Sequence, residues 1–239
     1  MSVIGSVRTR LEHAAGRALI DKVDRDHQEP DERFRRRRVV IVIVLVIGAV
    51  LLGFSLAARP GDTIFYLLTF ALAVTWAVGG FASGPLHLGY IPFRGAMRRP
   101  ILTGITLGFT AAAVFIAGAL VVRQIPPLHD YVENVLAHAR FGSMGLVTLV
   151  TVLNGIAEEI FFRGGLYAAI GRRYPVPIST AIYAIATLAT GNPMLVFAAV
   201  TLGFVLAAQR RASGGIIGPV LTHVTWSLVL LFALPPLFA

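Results

Sequence analysis

Cysteine is absent from this chain of 239 residues, and charged side chains are scarce. Without cysteine the protein has no disulfide bonds and no thiolate metal ligands, and nucleophilic catalysis by a cysteine is excluded. Only 14% of the residues are charged, whereas 56% are hydrophobic and the mean hydropathy is +0.77. These values lie well outside the range of soluble proteins and identify a membrane protein.

Long uncharged runs predict an all-α, polytopic transmembrane bundle of about seven spans, because an α-helix needs roughly 20 residues to cross the hydrocarbon core. Single crossings are predicted at 39–58, 63–83, 101–122 and 141–171. The run 174–209 is too long for one crossing and is interrupted by Gly-Asn-Pro at 191–193, which predicts a hairpin of two short helices. A last run follows Arg211, and Pro219 is expected to kink it.

The basic residues orient these spans. With the N-terminus in the cytoplasm, 17 Lys and Arg fall on inside segments and 3 on outside segments, as the positive-inside rule requires. This predicts the plasma membrane as location, with a cytoplasmic N-terminus and an outside C-terminus. The net charge of +9 is therefore assigned to membrane topology and contact with the lipid bilayer, and no nucleic-acid partner is predicted.

Three regions are expected along the chain. Residues 1–38 form a basic cytoplasmic segment, in which apolar residues at helical spacing over 2–23 predict an amphipathic helix on the bilayer surface. The alternative for this stretch is a loosely ordered tail. Residues 39–140 hold three accessory spans, and residues 141–239 hold spans four to seven, where the polar residues of interest lie.

Charges inside the fourth span are the strongest functional signal. They occur in NGIAEEIFFRGGLY, and each ionisable group in a span costs at least roughly 2.5 kcal/mol unless it faces protein or a water-filled cavity. Glu159 and Arg163 are four residues apart and are predicted to form an ion pair, while Glu158 points roughly 100° away. Glu158 is thus predicted to be free for chemistry. The alternative is a structural network of all three charges.

His223 is the only histidine within a predicted span. It is expected to lie at about the same depth in the bilayer as Glu158, which makes it the expected partner of that residue. A glutamate and a histidine around trapped water would form a hydrolase site, with the carboxylate accepting and returning a proton. No cofactor is predicted. Glu158 and His223 are weak candidate ligands of a divalent metal, since no spaced ligand set such as HExxH is present.

These residues resemble the motifs of the CPBP (Abi) family, membrane-embedded glutamate proteases related to the CAAX prenyl endopeptidase and to bacteriocin-immunity proteins. The family's first motif, EExxxR, is matched by Glu158, Glu159 and Arg163. Its last motif, a histidine followed four residues later by asparagine, is matched by His223 but carries Ser227 in RRASGGIIGPVLTHVTWS. The resemblance covers roughly residues 141–232.

The second motif of the family, FxxxH, is where the chain departs most. The best match is YAIAT, with Tyr183 in place of the phenylalanine and Thr187 in place of the histidine. In the family that histidine shares the role of base, whereas a threonine hydroxyl is no base at neutral pH. General acid or base assistance is typically worth about 10²- to 10⁴-fold in rate, so the substitution is expected to slow catalysis or to abolish it.

The resemblance implies an intramembrane endopeptidase that hydrolyses a peptide bond in a membrane-associated protein or peptide. In this assignment Glu158 activates water, Glu159 and Arg163 organise the site, and His223 helps to bind the oxyanion. The expected supporting residues are Asn154, Tyr183, Thr187 and Ser227. The alternative is a catalytically degenerate relative that acts as a membrane scaffold or regulator by binding other membrane proteins. A transporter would also place acids at mid-membrane, but no inverted repeat supports it.

Overall fold

A computed structural model of the chain describes residues 3–23 and 29–238. Over these residues the fold is a bundle of long helices, which confirms the predicted all-α class. The helices are α1 (Val3–Ala15), α2 (Asp31–Ala57), α3 (Thr63–Ser83), α4 (Ile101–Val122), α5 (Pro126–Phe141), α6 (Met144–Glu158), α7 (Tyr167–Ile170), α8 (Pro175–Thr187), α9 (Pro193–Ser213) and α10 (Ile217–Leu237). A small antiparallel hairpin, β1 (Ile91–Phe93) and β2 (Ala96–Arg98), connects α3 to α4.

Six helices of the described chain are long and apolar enough to cross a membrane. Five are α2, α3, α4, α9 and α10. The sixth, Met144–Ile170, combines α6, a π-helical segment (Glu159–Leu166) and α7. A shorter apolar helix, Pro175–Thr190, consists of α8 and a 3₁₀ turn. The seven apolar helices correspond to the predicted segments, although α9 has 21 residues and is not the short helix expected there.

The turn between α8 and α9 forms where the sequence predicts it. Gly191 adopts a left-handed conformation with φ of +65°, which glycine tolerates without a steric penalty. The side chain of Asn192 accepts hydrogen bonds from the backbone N–H groups of Met194 and Leu195, and Pro193 occupies the first helical position. Capping by asparagine and a proline at this position are favourable at a helix start.

The predicted kink at Pro219 is wrong. Helix α10 begins at Ile217, so Pro219 lies in its first turn. The backbone N–H groups of a first turn have no acceptor within the helix, and a proline therefore removes no hydrogen bond there. The last span enters the bundle undisturbed until Pro235 and Pro236 near its end.

The N-terminal region is helical from Val3 to Ile20. Helix α1 continues into a π-helical segment, Gly16–Ile20, which packs against α9. Val7 and Leu11 expose 49% and 65% of their surface, so apolar area remains uncovered by the protein. Contact of this area with the bilayer remains a prediction. Residues 24–28 of the predicted segment 1–38 lie outside the described residues, and position 38 falls within α2.

The span Met144–Ile170, the central span, is surrounded by α3, α8, α9 and α10. Helix α4 packs on the outer side of α10. Trp76 of α3 is 1% exposed and stacks on Phe161 and Phe162, with ring centroids 4.5 and 5.1 Å apart. Outward-facing side chains such as Val46 and Phe70 are more than half exposed, as expected for helices that face lipid.

The crossing of α3 and the central span depends on Gly80. A Cβ atom there would lie 2.9 Å from the backbone oxygen of Ile160, so Gly80→Ala must push the helices apart and is expected to destabilise the protein by about 1 to 3 kcal/mol. Thermal unfolding in detergent, followed by tryptophan fluorescence, measures the effect. Gly118→Ala is the control, since nothing lies within 4 Å of its Cβ position. Equal melting temperatures for the two variants would contradict the prediction.

Candidate active site

The carboxylate of Glu159 is the centre of a buried polar cluster. Its Oε1 accepts a hydrogen bond from Nη1 of Arg163 at 2.9 Å and lies 2.8 Å from Nδ1 of His223. Glu159 is fully buried, and Arg163 and His223 are 1% and 6% exposed. The predicted pairing of Glu159 with Arg163 is therefore present in the structure. Two nitrogen partners stabilise the charge on Oε1 at this depth, while Oε2 is buried without a hydrogen-bond partner in the described chain.

The crossing of the central span and α10 explains why Glu159 meets His223. A Cβ at Gly155 would lie 3.3 Å from Cγ2 of Val224, so the two helices approach closely here. Glu159 follows Gly155 by four residues and shares its face, which looks towards α10. The hydroxyl oxygen of Thr222 lies 3.0 Å from Gly104 O and 2.9 Å from the side-chain amide of Gln209, which ties this part of α10 to α4 and α9.

Glu158 is directed at a different helix. It is half-buried, and the hydroxyl of Tyr183 on α8 donates a hydrogen bond of 2.6 Å to its Oε2. The predicted partner of Glu158, His223, makes its direct contact with Glu159, and a water shared by Glu158 and His223 stays a prediction. Consecutive residues of a helix point roughly 100° apart, so α10 and α8 each receive one of the two carboxylates.

Tyr183 is held by both its ring and its hydroxyl. Its ring lies 4.6 Å from that of Phe162, and the Cζ of Arg163 is 4.8 Å from its centroid. A Cβ added at Gly203 of α9 would lie 3.1 Å from the Tyr183 ring, so the glycine admits the aromatic group. The tyrosine that replaces the family's phenylalanine thus brings a hydroxyl group directly to Glu158.

Thr187 does not reach the carboxylates through a hydrogen bond. It is 7% exposed, and its hydroxyl donates to the backbone oxygen of Tyr183, one turn earlier in α8. Ser227 of α10 is half-buried and forms no hydrogen bond within the described chain. Its hydroxyl is therefore available to a bound group, whereas that of Thr187 is already used.

Asn154 has a structural contact. Its Nδ2 donates to the backbone oxygens of Thr69 on α3 and of Val150. The side chain thus joins the central span to α3, one turn before Glu158. Its Oδ1 is buried without a hydrogen-bond partner in the described chain.

Arg210 is a further part of the cluster that sequence reasoning missed. It is 2% exposed, and its Nε donates a hydrogen bond of 2.7 Å to the backbone oxygen of Arg163. In the sequence Arg210 stands beside Arg211 at the end of an apolar run. The positive-inside count therefore assigns both residues to the loop before the last span. Only the continuation of α9 to Ser213 places Arg210 inside the bundle.

Metal ligation has little support in this arrangement. No group of three or more His, Asp or Glu side chains within residues 3–23 and 29–238 is arranged to hold a metal ion. Glu158 and His223, the weak candidate ligands, bond to Tyr183 and Glu159 respectively. The cluster is better described as two carboxylates with separate partners.

Comparison with known proteins identifies a family for the part of the chain that carries this cluster. Residues 140–229 match the sequence model of the family described as type II CAAX prenyl endopeptidase Rce1-like. The match confirms the resemblance to the CAAX proteases, which are a protease family. The matched range includes Glu158, Glu159, Arg163 and His223. Together with the six long apolar helices it supports a multi-pass membrane protein. No curated protein and no solved structure matches the chain.

Proposed function

We propose that the chain, whose residues 140–229 match the Rce1-like family, is an intramembrane endopeptidase that cleaves a membrane-associated protein or peptide. The observation that carries the proposal is the different surroundings of two adjacent carboxylates. Glu159 is fully buried and bonded to Arg163 and His223. Glu158 is half-buried and bonded to a neutral hydroxyl, and is therefore the carboxylate that can take up a proton.

In the proposed reaction Glu158 removes a proton from a water molecule, and the water oxygen attacks the carbonyl carbon of the scissile peptide bond. The resulting oxyanion needs hydrogen-bond donors, which are worth most in a site that excludes bulk water. Nδ1 of His223 faces Glu159, so Nε2 is the nitrogen left for the oxyanion. The hydroxyl of Ser227, which has no hydrogen-bond partner in the described chain, is a further donor. Glu158 then passes its proton to the leaving nitrogen as the C–N bond breaks.

A second candidate function is a scaffold or regulator that binds other membrane proteins without cleaving them. The observation that favours it is the second motif, in which Thr187 offers no base and its hydroxyl is bonded to Tyr183 O. In this case the cluster would hold the central span against α8, α9 and α10. The two functions differ in one respect that can be tested, namely the need for the Glu158 carboxylate.

The test starts from cells in which the gene for the protein has been deleted. It compares three strains, which carry no copy, the wild-type protein or the Glu158→Gln variant. Mass spectrometry of membrane-protein termini records which cleavage products depend on the protein. The endopeptidase predicts products with the wild type alone. If Glu158→Gln restores every product and phenotype as the wild type does, the enzyme proposal fails and the scaffold is supported.

The proposed location is the plasma membrane with a cytoplasmic N-terminus. The absence of native cysteine makes single-cysteine labelling a direct measurement of this orientation. Met97→Cys in the hairpin and Gln124→Cys between α4 and α5 both introduce the thiol at an exposed position. An impermeant maleimide applied to intact cells is expected to label position 124, and position 97 only after lysis. The reverse pattern would contradict the orientation.

A further inference from the structure

A cavity of about 1440 Å³ lies apart from the glutamate cluster, where the start of α2, the end of α3, the end of the central span, the start of α8 and the end of α9 meet. None of Glu158, Glu159 and His223 lines it. The chain enters this side of the bundle through Lys22 and Val23, and the N–H of Val23 donates to the backbone oxygen of Ala212. The cavity is thus a separate feature of the fold.

The described part of its wall carries more positive than negative charge. Six lining cations are exposed and have no ion-pair or hydrogen-bond partner within the described residues: Lys22, Arg33, Arg36, Arg172, Arg173 and Arg211. Glu29 is the one acidic residue of the described lining, and it is already bonded to Arg37. Cations that line one cavity repel one another, so an anion that enters the cavity relieves the repulsion.

Apolar side chains also contribute to the wall, with Phe34, Phe81 and Val176 among the lining residues. A cavity lined by both arginines and aromatic or aliphatic groups suits an amphiphile with an anionic head. The planar guanidinium group matches the geometry of phosphate oxygens and can donate two parallel hydrogen bonds to them. Basic pockets between transmembrane helices bind lipid head groups in this way.

We propose that this cavity binds a phosphate-bearing anion, with the phosphate on the arginines of the α7–α8 turn and of α2. The apolar wall favours a phospholipid head group as the source over free phosphate. This assignment rests on the cavity and its charges and does not depend on the proposed endopeptidase activity.

Arg210 connects the cavity to the polar cluster. It lines the cavity, its Cζ lies 5.1 Å from the ring centroid of Tyr167, and its Nε bonds the backbone oxygen of Arg163. An anion in the cavity would therefore hold the cytoplasmic ends of α2, α8 and α9 around the last turn of the central span. Binding is expected to raise the thermal stability of the whole bundle.

The experiment uses the full chain purified in a neutral detergent. Native mass spectrometry and thermal unfolding are recorded with phosphatidylglycerol, with phosphatidylcholine and with inorganic phosphate. Arg172→Ser/Arg173→Ser removes two cations of the wall, and Arg94→Ser/Arg98→Ser removes two exposed cations of the nearby hairpin that do not line the cavity. The first pair is expected to weaken phosphatidylglycerol binding about 5- to 30-fold, and the second pair to leave it near the wild-type value.

Each outcome decides the proposal. If phosphatidylglycerol binds to the wild type and is lost in Arg172→Ser/Arg173→Ser, a lipid source is supported. If inorganic phosphate binds and is lost in the same variant, a soluble source is supported. If neither phosphatidylglycerol nor inorganic phosphate binds, or if both double variants bind equally well, the proposal is overturned. If the first variant does not fold, Arg33→Ser/Arg36→Ser on the opposite wall is tested in its place with the same criteria.

Discussion

Glu158→Gln is expected to lower the rate of peptide-bond hydrolysis by about 10²- to 10⁴-fold, the usual contribution of a general base. The amide has nearly the same shape as the carboxylate but cannot accept a proton at neutral pH. Its oxygen can still accept the hydrogen bond that Tyr183 donates in the wild type. The fold should therefore persist, with a melting temperature close to that of the wild type.

The measurement is the initial rate of cleavage in proteoliposomes of a substrate found in the cellular comparison. Glu32→Gln is the matched control, because Glu32 is exposed on α2 and bonds to no described residue. Tyr183→Phe removes the hydroxyl but keeps the Glu158 carboxylate, so it is expected to retain more activity than Glu158→Gln. A Glu158→Gln protein that is folded and cleaves at the wild-type rate would exclude Glu158 as the base.

Arg163→Met is expected to destabilise the protein by about 3 to 5 kcal/mol, because it leaves the carboxylate of Glu159 buried beside His223 without its arginine. For a chain of this size the loss corresponds to a decrease in melting temperature of roughly 6 to 20 °C. The arginine also donates to Gly203 O, so its removal loosens α9 as well. Thermal unfolding in detergent measures the change.

Two controls test whether burial of the charge is the cause. Arg140→Met breaks the Glu133–Arg140 pair, whose side chains are 29% and 28% exposed, and should cost only about 1 kcal/mol. The double variant Glu159→Met/Arg163→Met removes both charges and is expected to be more stable than Arg163→Met alone. If the double variant is the less stable of the two, the unpaired carboxylate is not the source of the effect.

The fold follows largely from local properties of the sequence. Each apolar run is long enough to demand a helix in lipid, where every backbone N–H and C=O must be bonded within its own segment. For this reason the runs predict the spans and the hairpin at 191–193 without any knowledge of their packing. Errors arise at helix ends: α2 begins at Asp31, inside the polar region, and Pro219 lies in a first turn. The length of an uncharged run does not show at which residue a helix begins or where a proline lies within it.

The candidate site is determined in part by the sequence. The spacing of Glu159 and Arg163 already predicts their ion pair, because both lie on one face of one helix. The motif match extends to His223, which lies within the matched residues 140–229. What periodicity leaves open is which neighbouring helix each carboxylate faces.

The sequence by itself therefore determined the membrane class, the apolar segments and the ion pair within one helix, since these depend on residues close together in the chain. Tertiary structure decided that His223 bonds Glu159, that Tyr183 bonds Glu158 and that Arg210 reaches the backbone of Arg163. These contacts join residues 25 to 64 positions apart. They depend on close helix crossings at small residues such as Gly155 and Gly203, which only the packed bundle defines.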